Sequence, residues 1–124
     1  MNFEKFTERS RGFVQAAQTI ATREEHQRFL PEHLLKALLD DDQGLAGNLI
    51  NASGGDSVRA FADVTAAVDK LPKVSGDGQL YLDGQTNKVL IEAEKLAEKA
   101  GDSFVTVERL LTALAIVKSE AQKA

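Results

Sequence analysis

A chain of 124 residues suits one domain of ordinary size, about 100–150 residues. Hydrophobic residues make up 43% and charged residues 27%, so a packed core is possible; with six Phe, one Tyr and no Trp, aliphatic side chains must fill it. The net charge of −4 argues against a nucleic-acid footprint, the absence of Cys excludes disulfide and thiolate chemistry, and no apolar run approaches the roughly 20 residues that span a bilayer.

The opening "MNFEKFTERS" alternates apolar and charged residues and has no signal-peptide core. Together with the missing cysteines, it reads as the start of a soluble cytoplasmic domain. Phe6, Phe13, Ala17 and Ile20 then recur at helical spacing, with Val14 and Ala21 alongside. This predicts a first helix over about 8–22, capped by Thr7, with Glu8 in a first turn that favours negative charge. Pro31 suits the first turn of a second helix, whose buried face would be Leu34, Leu35 and Leu38. Leu45, Leu49 and Ile50 mark a short third helix. Asp56 can cap a fourth, with Val58, Phe61, Val64, Val68 and Leu71 as its stripe. The Gly-rich stretch after Pro72 reads as a connector. A fifth helix starts near Asp83, with the stripe Val89, Ala93, Leu96 and Ala100, and with Leu90 and Ala97 beside it. Gly101 suits its C-terminal cap. Thr106 would cap a sixth helix that buries Val107, Leu110, Leu111 and Leu114. The possible strands "QLYL" and "FVTV" are too short to change the class, which is all-α.

A shift of 76 residues superposes part of the chain on itself without a gap. Residues 13–38 and 89–114 share Ala17/Ala93, Ala21/Ala97, Glu32/Glu108, Leu34/Leu110, Leu35/Leu111, Ala37/Ala113 and Leu38/Leu114. Chance would supply roughly two such identities at ordinary residue frequencies. The expected architecture is therefore two pseudo-symmetric helical repeats within one domain over 1–124. Repeat 1 covers about 1–72, a linker about 73–82, and repeat 2 about 83–124. The second copy ends before the counterparts of the third and fourth helices, so it is expected to be incomplete, a piece of a longer protein.

Motifs that carry chemistry are scarce. The glycine clusters at 54–55 and 76–78 lack the following Lys-Ser/Thr of a phosphate cradle. His26 and His33 are seven residues apart, without a third ligand at metal spacing, and His33 reads as a surface residue on the Glu32 side of its helix. No Ser/His/Asp set has supporting local sequence, so no catalytic, metal or cofactor site is expected. Thr7, Asp102 and Glu108 read as caps or first-turn acids, which leaves room for a second role at the surface.

The tandem pattern "FTERS…AAQTIA…FLPEHLLKALL" followed by "VLIEAEKLAEKAGDSFVTVERLLTALA" resembles the Clp N-terminal repeat domain, the amino-terminal module of the Clp ATPases. "MNFEKFTERS" and "KLPKVSG" look most like the ClpB-type (Hsp100) disaggregases. The resemblance implies a domain joined to a hexameric, ATP-driven motor. Such a domain binds unfolded or aggregated polypeptide and helps deliver it to the motor, in cooperation with the DnaK system. No Walker motif is seen, so the chain by itself is not read as an enzyme, and ATP would belong to the ATPase modules elsewhere. The alternative is an adaptor-docking domain, as in the protease-linked ClpA and ClpC unfoldases. The family's sensitive polar positions match Thr7, Asp102 and Glu108, and its apolar groove lies near the fifth and sixth helices. Leu96 matches a groove leucine, whereas Glu92 and Arg109 stand where relatives can carry leucine. Leu90, Leu96, Val105 and Leu110 are the candidate apolar contacts, set against a core role for most of them.

Overall fold

The computed structural model describes residues 6–26, 28–40, 44–71, 81–102 and 104–117. Among these residues run helices α1 (Glu8–Arg23), α2 (Pro31–Leu39), α3 (Leu45–Ala52), α4 (Ser57–Asp69), α5 (Gly84–Lys99) and α6 (Val107–Ile116). Two strands of two residues each, β1 (Arg28–Phe29) and β2 (Tyr81–Leu82), complete the regular structure. The class is all-α. The residues predicted as linker lie mostly outside the described ones.

Caps set the helix starts. The Thr7 hydroxyl accepts the Ser10 N–H at 3.1 Å, Asp56 accepts that of Arg59 at 3.2 Å, and Asp83 accepts that of Gln85 at 2.9 Å. Each satisfies an N–H with no partner inside its helix. Thr106 stands at the N-cap of α6, but its side chain makes no capping bond. α1 packs on α2 and α5 on α6, while α2 also touches α3, α4, α5 and α6. That central position explains why Pro31, Glu32, His33, Leu34, Leu35, Ala37 and Leu38 are all buried.

The two strands join the halves of the chain. Phe29 pairs with Leu82 in parallel register, and an isolated parallel bridge pairs Phe6 with Val105. Just beyond them, the Asp83 N–H donates to the Phe29 carbonyl at 3.2 Å and the Thr7 N–H donates to the Val105 carbonyl at 3.0 Å. A shift of 76 residues carries Phe6 to Leu82, Thr7 to Asp83 and Phe29 to Val105, so each crossing is the counterpart of the other. The ends of α1 and α5 correspond in the same way. The His26 N–H reaches the Ala21 carbonyl and the Asp102 N–H reaches that of Ala97, both at 2.8 Å. Glu25 and Gly101 supply the left-handed residue of these Schellman turns, with φ of 61° and 80°.

The structure departs from the sequence expectations in several places. Val58 is 79% exposed at the start of α4, although Val64 and Val68 farther along are buried. In α3 the buried residue is Ala46, while Leu45, Leu49 and Ile50 are half-buried, because a short helix seated on α2 sinks only its small-residue side. Ala100 is the exposed C-cap residue of α5, and Leu111 of α6 is half-buried. His33, read as a surface residue, is 0% exposed because α2 is enclosed by neighbours on nearly every side.

Candidate functional site

Equivalent places in the two halves carry different chemistry. In the first half, Leu30 donates its N–H to His33 Nδ1 at 3.0 Å, so that nitrogen is the acceptor and the proton of the neutral ring sits on Nε2. His33 Nε2 lies 2.9 Å from His26 Nδ1, which makes His26 the acceptor of the next bond. Burial first, then the charge His26 would carry and that of Lys36, lowers the His33 pKa from 6.5 to about 4. In the second half the same two positions hold Asp102 and Arg109. Arg109 Nε donates to Asp102 Oδ2 at 3.0 Å, with both side chains about a third exposed. One connection between consecutive helices is buried and neutral; the other is charged and reaches the surface.

The strand crossings diverge too. At the first, Arg28 lies 3.1 Å from Asp83, and the buried Thr86 hydroxyl donates to the Phe29 carbonyl at 2.6 Å. At the second, Phe104 occupies the position of Arg28 and Thr7 that of Asp83. Phe104 is 52% exposed, and Thr7, half-buried, gives its hydroxyl proton to Ser10 Oγ at 2.8 Å. An ion pair covers one crossing. The other presents an aromatic ring beside a hydroxyl and an Asp–Arg pair.

The structure therefore draws several predicted residues together around the start of α6. Thr7 bonds to Val105, and Asp102 pairs with Arg109 across the turn from α5. Glu108 is exposed in the first turn of α6. Leu96 and Glu92 lie farther back on α5, both partly exposed, with Leu96 packed against the core edge. Leu90, Val105 and Leu110 are buried in the core, so the contact role considered for them gives way to packing. The period of a strand explains Val105: alternation turns one residue of a pair inward and its neighbour outward. Phe104 is that neighbour, and the sequence reading passed over it. The 76-residue shift held the signal, because it aligns Phe104 with Arg28, a residue type that seldom goes inside.

Among the described residues, no group of three or more His, Cys, Asp or Glu side chains could hold a metal ion, and no helix is long and apolar enough to cross a membrane.

Comparison with known proteins fits this geometry. The family model described as Clp repeat (R) N-terminal domain matches residues 5–124. The chaperone protein ClpB of Rhodopseudomonas palustris is 58% identical over 120 residues, covering 95% of this chain and 14% of that protein. ClpB of Rhizobium meliloti is 57% identical over 122 residues, covering 98% and 14%. The chain thus spans about 14% of the length of the curated relatives it matches. Among solved structures, the N-terminal domain of ClpV1 from E. coli superposes with a TM-score of 0.83 at 20% identity, covering 98% of this chain and 76% of that one. The Hsp104 N-terminal domain from Candida albicans gives 0.83 at 22%, covering 95% and 78%. Those two likenesses speak for the fold alone. The family match goes further: this chain belongs to the Clp repeat N-terminal domain family.

Proposed function

We propose that this chain is the substrate-recognition domain of an ATP-dependent protein disaggregase, and that it binds unfolded or aggregated polypeptide at the crossing beside α6. The observation that carries this reading is Phe104, half-exposed where the equivalent crossing is covered by Arg28 and Asp83. An exposed ring gains from burying an apolar side chain of any sequence, at about 25 cal/mol per Å² before ordering costs. The Asp102–Arg109 pair and the Thr7 hydroxyl offer polar contacts around it. Such contacts are few, so affinity per domain is low, and useful binding arises when several copies act together. The identity to ClpB supports this reading over adaptor docking. A hexameric motor, cooperation with the DnaK system, and ATP bound in modules elsewhere extend the same reading to the longer protein; no residue here is assigned to ATP.

The test is an NMR titration of the chain with a permanently unfolded polypeptide. Shifts are expected at Thr7, Asp102, Phe104, Glu108 and Arg109. Shifts confined to α2, α3 and α4 would overturn the assignment.

A further inference from the structure

The two crossings are not held shut equally. At the first, the Phe29 carbonyl accepts two hydrogen bonds, from the Asp83 N–H at 3.2 Å and from the Thr86 hydroxyl at 2.6 Å. Arg28 also lies against Asp83 at 3.1 Å. The 76-residue shift gives each of these groups a counterpart at the second crossing. Val105 stands for Phe29 and Thr7 for Asp83, and the Thr7 N–H donates to the Val105 carbonyl at 3.0 Å. The other two ties have no equivalent. Ser10 stands for Thr86, but its buried hydroxyl oxygen accepts from Thr7 at 2.8 Å, within the start of α1, instead of closing on the Val105 carbonyl. Phe104 stands for Arg28, so no ion pair with Thr7 can form.

Apolar contacts do not make up the difference. Each crossing pairs one Phe with one aliphatic residue: Phe29 with Leu82 at the first, Phe6 with Val105 at the second. With like residues at both joints, the hydroxyl bond and the ion pair decide which joint gives way first. Together they are worth about tenfold in an opening equilibrium. The Asp102–Arg109 pair lies close by, but it joins the turn after α5 to α6 and does not hold that hairpin to α1.

We infer that the second crossing opens locally in the folded protein, and that its open form captures unfolded polypeptide. Opening moves Phe6 and Thr7 away from Val105 and leaves the packing of α1 on α2 and of α5 on α6 in place. The open form is thus the binding state of the surface proposed around Phe104, and its role rests on that proposal. Closed, the surface offers one aromatic ring, because Phe6 and Val105 are buried. Open, Phe6 and Val105 emerge beside Phe104. The Val105 carbonyl, released by Thr7, then accepts an N–H from an extended segment, as in strand addition. A polypeptide that binds only this form draws the equilibrium toward it.

The first test is amide hydrogen exchange in the unaltered chain. Thr7 and Asp83 are equivalent N-cap residues with equivalent N–H bonds, so the ratio of their protection factors compares the two crossings. Thr7 is expected to be about tenfold less protected. Thr86→Val should lower protection at Asp83 and leave that at Thr7 as it was. Adding a reduced and carboxymethylated polypeptide, which stays unfolded, should lower protection at Thr7 further. The second test is a lock. The chain has no Cys, so Phe6→Cys with Val105→Cys places one removable disulfide across the bridge. Oxidised, this variant should bind the same polypeptide about tenfold more weakly than after reduction. Phe29→Cys with Leu82→Cys, which locks the first crossing, should bind alike in both states. Equal protection at Thr7 and Asp83, or a rise at Thr7 when polypeptide is added, would overturn the inference, and both are read without any Cys variant. So would equal binding by the oxidised and reduced forms of the second lock. Binding that survives that lock overturns the opening alone; no binding by the unaltered chain overturns the proposed surface itself.

Discussion

His26 and His33 face each other at 2.9 Å inside the protein, and the Leu30 N–H points at the one nitrogen of His33 left without a proton. Adding a proton to His33 must break the Leu30 bond; adding one to His26 Nδ1 sets two N–H groups against each other. The pair is therefore stable as two neutral rings. His33 has a folded pKa of about 4 against 6.5 unfolded, so its contribution is fully present above 6.5 and is lost as pH falls toward 4. Up to about 3 kcal/mol is at stake. Urea unfolding should show a falling midpoint from pH 7 to pH 5, and the double change His26→Asp with His33→Arg should flatten that dependence.

Phe104 and Val105 separate binding from stability. Val105→Ala opens space in the core and should cost about 1–3 kcal/mol. Phe104→Ala, at an exposed position, should change stability by no more than about 0.5 kcal/mol while weakening capture of unfolded polypeptide severalfold. Thermal melts paired with a binding titration would show both effects.

The two left-handed turns make a matched experiment. Gly101 has open space where a side chain would go, so Gly101→Ala tests backbone strain alone and should cost about 1 kcal/mol. Glu25 already bears that strain at φ 61°, and Glu25→Gly should stabilise by a few tenths to about 1 kcal/mol. Opposite shifts in Tm at equivalent positions are the expected result.

At the closed crossing, the buried hydroxyl matters more than the visible ion pair. Thr86→Val removes the shorter of the two bonds to the Phe29 carbonyl, which keeps only the Asp83 N–H at 3.2 Å, and should cost about 1 kcal/mol. Arg28 is largely exposed, so Arg28→Ala should cost under about 1 kcal/mol, and less in high salt. Chemical denaturation at two salt concentrations distinguishes them.

Helices and caps were legible in the sequence because both rest on local rules. α1, predicted over about 8–22, runs from Glu8 to Arg23, and the Thr7, Asp56 and Asp83 caps depend on neighbours within three residues. What local rules could not supply was tertiary. Periodicity alone does not say that α2 is surrounded, so His33 read as a surface residue and is buried. Strands of two residues carry no pattern, so the alternation that hides Val105 and exposes Phe104 emerged only once Phe6 was seen beside Val105. For the candidate site, the polar residues Thr7, Asp102, Glu108 and Arg109 were readable, whereas the aromatic residue among them was not.

The bridge from Phe6 to Val105 closes a loop of almost one hundred residues, and Phe29 with Leu82 closes one of about half that length. Closing such loops costs chain entropy before the contacts return anything, so the crossings should form late in folding, after the α1–α2 and α5–α6 hairpins. Each hairpin meets its counterpart through the same type of contact used twice. A hairpin from a second molecule could make that contact equally well while the chain is still open. At high concentration, refolding should therefore yield some dimers with exchanged halves, and slow dilution should suppress them.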